Sequence, residues 1–170
     1  MIYDSPVPAD DVDLIVEAWH RERPDLDVQP LAVLSRVTRL ARHLDQARAE
    51  AFAIHDLDGW EFDVLAALRR AGDPYALSPG QLAAQTLVTS GTLTNRVDRL
   101  AERGLVTRAP DPEDRRGVRV VLTESGKRTV DGAFADLLAR EHLLLESLST
   151  DERAELADLL KTLMGQFTIR

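Results

Sequence analysis

Residues 77–127 read LSPGQLAAQTLVTSGTLTNRVDRLAERGLVTRAPDPEDRRGVRVVLTESGK. The tetrad SPGQ at 78–81 has the form of a capping box, with Pro79 at the first helical position, where its missing N–H costs nothing. A short helix over 79–85 follows. Thr89 or Ser90 then caps a second helix in which Leu93, Val97 and Leu100 recur at i, i+4 and i+7, and Gly104 stands where a left-handed residue ends a helix. The segments LVTR at 105–108 and VRVVL at 118–122 read as strands joined by a charged tip, and Thr123 caps the next helix. Short helix, tight turn, amphipathic helix and β-hairpin, in that order, make a winged helix-turn-helix, in which the second helix enters a major groove.

Working outward, residues 10–23 form a short helical pattern with Val12, Ile15, Val16 and Trp19 at helical spacing, ended by Pro24. Pro30 opens a long amphipathic pattern through Leu31, Leu34, Val37, Leu40, Ala41 and Leu44 that runs toward His55 and reads as a scaffold helix. DGWE at 58–61 is a second capping box ahead of Phe62, Leu65, Ala66 and Leu68, and GDP at 72–74 stops that helix. Beyond the hairpin, one helix carries Val130, Phe134, Leu137, Leu138, Leu144 and Leu145. STDE at 149–152, a third capping box, precedes Leu156, Leu159, Leu160, Leu163 and Phe167. The expected fold class is therefore mainly α with a small β-hairpin.

The 170 residues suffice for one core, or for one DNA-binding unit with helices that join two copies. With no cysteine, the chain has no disulfide, thiolate metal site or thiol redox sensor. The acidic N-terminus lacks an apolar leader segment and no run approaches a membrane span, so a cytoplasmic protein without membrane association is expected. A net charge of −8 argues at first against a nucleic-acid partner. Its distribution argues the other way: residues 78–128 hold nine Lys/Arg and six Asp/Glu, against twelve and twenty-three in the rest of the chain.

With Leu93, Val97 and Leu100 turned inward, the opposite face of the second helix offers Ser90, Thr92, Thr94, Asn95 and Arg99, short polar groups and one cation able to reach base edges or phosphates. Arg115 and Arg116 at the hairpin tip are long enough to enter a minor groove, with Asp114 beside them. A polar helix face is ordinarily a solvated face, and a charged tip ordinarily guards a strand edge; their occurrence in this order favours DNA.

LVxR at 105–108, DPxDRRG at 111–117 and VxLTxxG at 120–126 resemble the wing and following helix start of the multiple antibiotic resistance regulator (MarR) family. The layout matches from about residue 31 to the C-terminus. The resemblance implies an intertwined homodimer on a pseudo-palindromic double-stranded operator, usually as a repressor. It divides the chain into N-terminal dimerisation or effector helices (1–57), a winged helix-turn-helix region (58–128) and C-terminal dimerisation helices (129–170), forming one intertwined domain. It places recognition-helix contacts at Ser90, Thr92, Thr94, Asn95 and Arg99 and wing contacts at Arg115 or Arg116.

The extra N-terminal helix with Trp19, together with WxFDVLxxLRR at 60–70 and SGxxTNRxDRL at 90–100, is similar to the urate-responsive, PecS/HucR-like branch of that family. That similarity implies a ligand pocket of Trp19, Asp63 and Arg96 for a small anionic effector such as urate. A planar anion suits a flat aromatic wall and a two-pronged guanidinium. Read singly, Trp19 is a packing anchor, Asp63 an acid that suits a helix N-terminus, and Arg96 a phosphate contact. A tricarboxylate-like or phenolic anion, or a winged helix serving as a protein-interaction module without effector, stand as alternatives. The sequence has no nucleophile constellation, phosphate-cradling glycine loop or HExxH helix, and His20, His43, His55 and His142 lack metal-ligand spacing, so neither an enzyme nor a cofactor is expected.

Overall fold

The computed structural model describes residues 8–112, 114 and 117–167. The chain divides into two compact units, residues 1–46 and 47–170.

In the first unit lie α1 (Asp11–Glu22) and most of α2 (Gln29–Ala53). Asp10 caps α1 by accepting the N–H groups of Val12 and Asp13, while the Asp13 carboxylate accepts the Asp10 N–H at 2.9 Å, a box of two acids. Arg36 reaches from α2 to both carboxylates, 2.8 Å from Asp10 and 2.6 Å from Asp13, and Arg39 lies 3.2 Å from Asp11. The Arg36 hydrogen bond holds the Asp10 carboxyl down at about 2. Polar contacts dominate here because Val12 alone of the α1 residues is buried.

In the second unit the order is α3 (Gly59–Arg70), β1 (Ala76–Leu77), α4 (Pro79–Thr86), α5 (Ser90–Glu102), β2 (Val106–Pro110), β3 (Val118–Leu122), α6 (Glu124–Leu144) and α7 (Thr150–Met164). Ser78 and Gln81 close the box before α4, and Ser149 and Glu152 close the one before α7, both as the sequence predicts. Gly104 follows α5 at φ +68°, the left-handed conformation expected of it. The hairpin is joined by a third strand: β1 pairs with β3 through Ala76–Val121 and Leu77–Val120, giving an antiparallel sheet in the order β1-β3-β2. Two residues are too few to show a period, which is why the sequence offers only the hairpin.

The core of this unit gathers Phe52, Leu65, Leu68, Leu82, Leu93, Leu100, Val106, Val120 and Val130, each 2% exposed or less. Phe52, at the end of α2, stacks on Phe62 of α3 with centroids 4.1 Å apart and planes 14° apart. By contrast α7 buries nothing, and its Leu159, Leu160, Leu163 and Met164 face outward. No helix among the described residues is long and apolar enough to cross a membrane.

Candidate nucleic-acid interface

The interface is built on α5, and its orientation follows from the apolar triplet. Leu93, Val97 and Leu100 are buried against the core, which turns Ser90, Thr92, Thr94, Asn95 and Arg99 outward. Thr89 caps the helix through the Thr92 N–H at 3.3 Å, resolving the choice between Thr89 and Ser90. Two of the five polar residues are committed to their own helix: the Thr92 hydroxyl meets that of Thr89 at 3.0 Å, and Thr94 donates to the Ser90 carbonyl at 3.0 Å. The Ser90 hydroxyl and Asn95 amide have no protein hydrogen bond among the described residues, which leaves both free to bond a partner.

Behind α5, the wing is fixed by short contacts. Thr123, the α6 cap, donates its hydroxyl to the Gly104 carbonyl at 2.8 Å and accepts from the Gly126 N–H at 3.0 Å. Arg108 of β2 pairs with Asp98 of α5, tying strand to helix. Within the wing loop, Asp111 N–H donates to Gly117 and Gly117 N–H to Asp114, at 2.9 and 2.8 Å, and the Asp111 carboxylate lies 3.0 Å from Arg119. Arg115 and Arg116 lie outside the described residues.

Of the residues expected to bind an effector, Asp63 and Arg96 are not paired with each other. The exposed Asp63 carboxylate faces Arg48, 3.4 Å away. Arg96 lies instead over the indole of Trp60, its guanidinium carbon 5.3 Å from the ring centroid. Trp19 belongs to the first unit, half exposed, where it lines a mainly apolar cavity of about 460 Å³ with Leu26, Asp27, Val28, Pro30 and Leu31. Sequence reasoning misses Arg48 and Trp60 as neighbours because partners fifteen and thirty-six residues apart leave no local pattern.

It also misses how α5 is anchored. Glu61, 3% exposed, accepts from Arg103 at 2.7 Å and from the Asp58 N–H at 2.9 Å, so the capping acid of α3 is also the ion-pair partner of the residue that ends α5. Arg103 bonds the Asp56 carbonyl and carboxylate as well, and its partnership with Glu61 raises its affinity for its proton above the ordinary value.

An apolar-backed helix with a polar outer row, followed by a pinned hairpin, defines a winged helix-turn-helix DNA-binding protein. The comparisons give that class a family. The MarR family model matches residues 55–117. The HTH-type transcriptional regulator PecS of Dickeya dadantii is 38% identical over 146 residues, covering 86% of this chain and 88% of that protein. The repressor NicR of Pseudomonas putida is 34% identical over 82% of this chain and 89% of its own length. Among solved structures, a mutant MarR from E. coli complexed with operator DNA superposes with a TM-score of 0.66 at 30% identity, covering 82% of this chain and 99% of that one. A MarR family protein from Bacillus stearothermophilus reaches 0.71 at 26% identity, covering 85% and 99%. This chain belongs to the MarR family, and it is a DNA-binding transcriptional regulator rather than an enzyme.

Proposed function

We propose that the protein acts as a homodimeric repressor on a pseudo-palindromic operator and is released by a small anionic metabolite, with urate the first candidate. The observation that carries the DNA half is the outward row Ser90, Thr92, Thr94, Asn95 and Arg99 on a helix whose other face is locked by Leu93, Val97 and Leu100. Ser90, Asn95 and Arg99 contact bases or phosphates directly. Thr94, whose hydroxyl hydrogen is already given to its own helix, works as an acceptor toward amino groups of adenine or cytosine. Arg115 or Arg116 reaches the adjacent minor groove. Dimerisation is supported by the uncovered apolar side chains of α7, which a second copy of the chain would bury. Fluorescence anisotropy on a duplex selected from a random library tests this half: Arg115→Ala with Arg116→Ala weakens binding and flattens its salt dependence, whereas unchanged binding at every salt removes the wing from the interface.

The effector half rests on the similarity that assigns Trp19, Asp63 and Arg96 to a pocket, and on the relatedness to PecS. Among the described residues Arg96 has no carboxylate partner, so its guanidinium is open to an anion. Urate at millimolar concentration raises the melting temperature and lowers operator affinity, and Trp19→Ala or Arg96→Ala blunts both effects. If urate moves neither quantity while another planar or carboxylate anion does, the effector is that anion.

A further inference from the structure

Trp60, the second residue of α3, is the point at which two cations of α5 meet. The guanidinium carbons of Arg96 and Arg99 lie 5.3 and 4.8 Å from its ring centroid, both within cation–π range. Their i, i+3 spacing puts both on one stripe of the helix. Neither has a carboxylate partner among the described residues, so the indole is what holds two like charges that would otherwise repel and sample many rotamers.

The ring itself is held. Its Nε1–H donates to the Asp58 carboxylate at 3.2 Å, the Asp58 N–H donates to Glu61, and Glu61 accepts from Arg103 at the end of α5. These contacts form a closed circuit: from α5 through Arg103, Glu61, Asp58 and Trp60, and back to α5 at Arg96 and Arg99. A circuit of this kind fixes the plane of the indole relative to the helix whose side chains it supports.

We propose that Trp60 is a positioning residue for DNA binding: its indole restrains Arg99, and Arg96 beside it, so that the Arg99 guanidinium is presented to the operator already ordered. The saving is the rotamer entropy that Arg99 would otherwise lose on binding. This rests on the reading that α5 contacts DNA and that Arg99 is one of its contacts.

The test is a double-mutant cycle on the selected duplex, with melting temperatures measured in parallel. Trp60→Leu and Arg99→Ala each weaken binding, Trp60→Leu by about three- to tenfold, and the double variant is no weaker than Arg99→Ala alone. Trp60→Phe, which keeps a π face but lacks the N–H that bonds Asp58, recovers part of the loss seen with leucine. A Trp60→Leu effect that simply adds to that of Arg99→Ala, or a phenylalanine variant as weak as the leucine one, overturns the proposal. Should Trp60→Leu fail to fold, the wild-type protein decides: the side-chain Nε–H resonances of Arg96 and Arg99 must show an upfield ring-current displacement that Trp60→Phe reduces, and ordinary positions refute a stacked ring. If Arg99→Ala binds as wild type does, both Arg99 as a DNA contact and its positioning by Trp60 fall. If selection yields no bound duplex, operator binding itself fails, and the arginine resonances still report whether the stack exists.

Discussion

Gly126 sits in α6 where that helix passes the start of the wing. A Cβ built there would lie 2.1 Å from the Leu105 carbonyl oxygen and 2.9 Å from Leu122 Cδ1. The obstacle is largely backbone, so it cannot rotate aside, and this gives the glycine of the VxLTxxG segment a steric reason. Gly126→Ala is expected to cost about 2 kcal/mol or more, read as a lower urea midpoint. The Glu61–Arg103 pair works by a different physics. Arg103→Ala strands a carboxylate that is 3% exposed, and because Arg103 itself is partly solvated the expected loss is about 2–3 kcal/mol. Combining Glu61→Gln with Arg103→Met should be milder than Arg103→Ala alone, since no unpaired charge remains. The necessity of Gly126 follows from contacts across about twenty residues, and neither it nor the ion pair is written in any local pattern. A glycine in a quoted motif can be noticed; what it touches cannot.

Among the elements, those with strong local signals are legible. The boxes at Ser78–Gln81 and Ser149–Glu152, the triplet Leu93, Val97 and Leu100, and the Thr123 cap each depend on residues within a few positions of one another, and each forms as expected. β1 is not legible, because its existence depends on β3, about forty-four residues later. The capping of α1 by Asp10 and Asp13 is itself local; what is hidden is Arg36, which neutralises both acids from α2, more than twenty residues later. That arrangement makes α1 acid-sensitive. The Asp10 carboxyl is held near 2, below its usual 3.8, and Asp13 is lowered too. Their contribution is therefore complete above about pH 4 and disappears as the pH falls toward 2. In a Trp60→Phe background, Trp19 emission should report loosening of α1 across that interval, and Arg36→Ala should shrink the acid-dependent step and move it to higher pH, leaving the part due to the backbone N–H groups that the two carboxylates accept. An unchanged transition in Arg36→Ala would show that other carboxylates control it.

The chain is acidic overall while residues 78–128 carry a net positive charge, and large apolar side chains are uncovered on α7. Leu159 is 58% and Met164 64% exposed, and with Leu160 and Leu163 they make a run of uncovered apolar side chains of the kind that marks a protein interface. Replacing Leu160 and Leu163 by aspartate should convert a dimer to a monomer in sedimentation velocity and cost most of the operator affinity, because two half-sites must be engaged together. A variant that stays dimeric would move the interface elsewhere. The most direct measurement is the binding of the wild-type protein to a duplex selected from random sequence, titrated at several salt concentrations with the mass of the complex determined. Two protomers on one palindromic duplex, with affinity falling steeply as salt rises and Arg99→Ala weakening it, is the expected result. Absence of any sequence-selective complex at low salt, or a single protomer on a non-palindromic site, would contradict it.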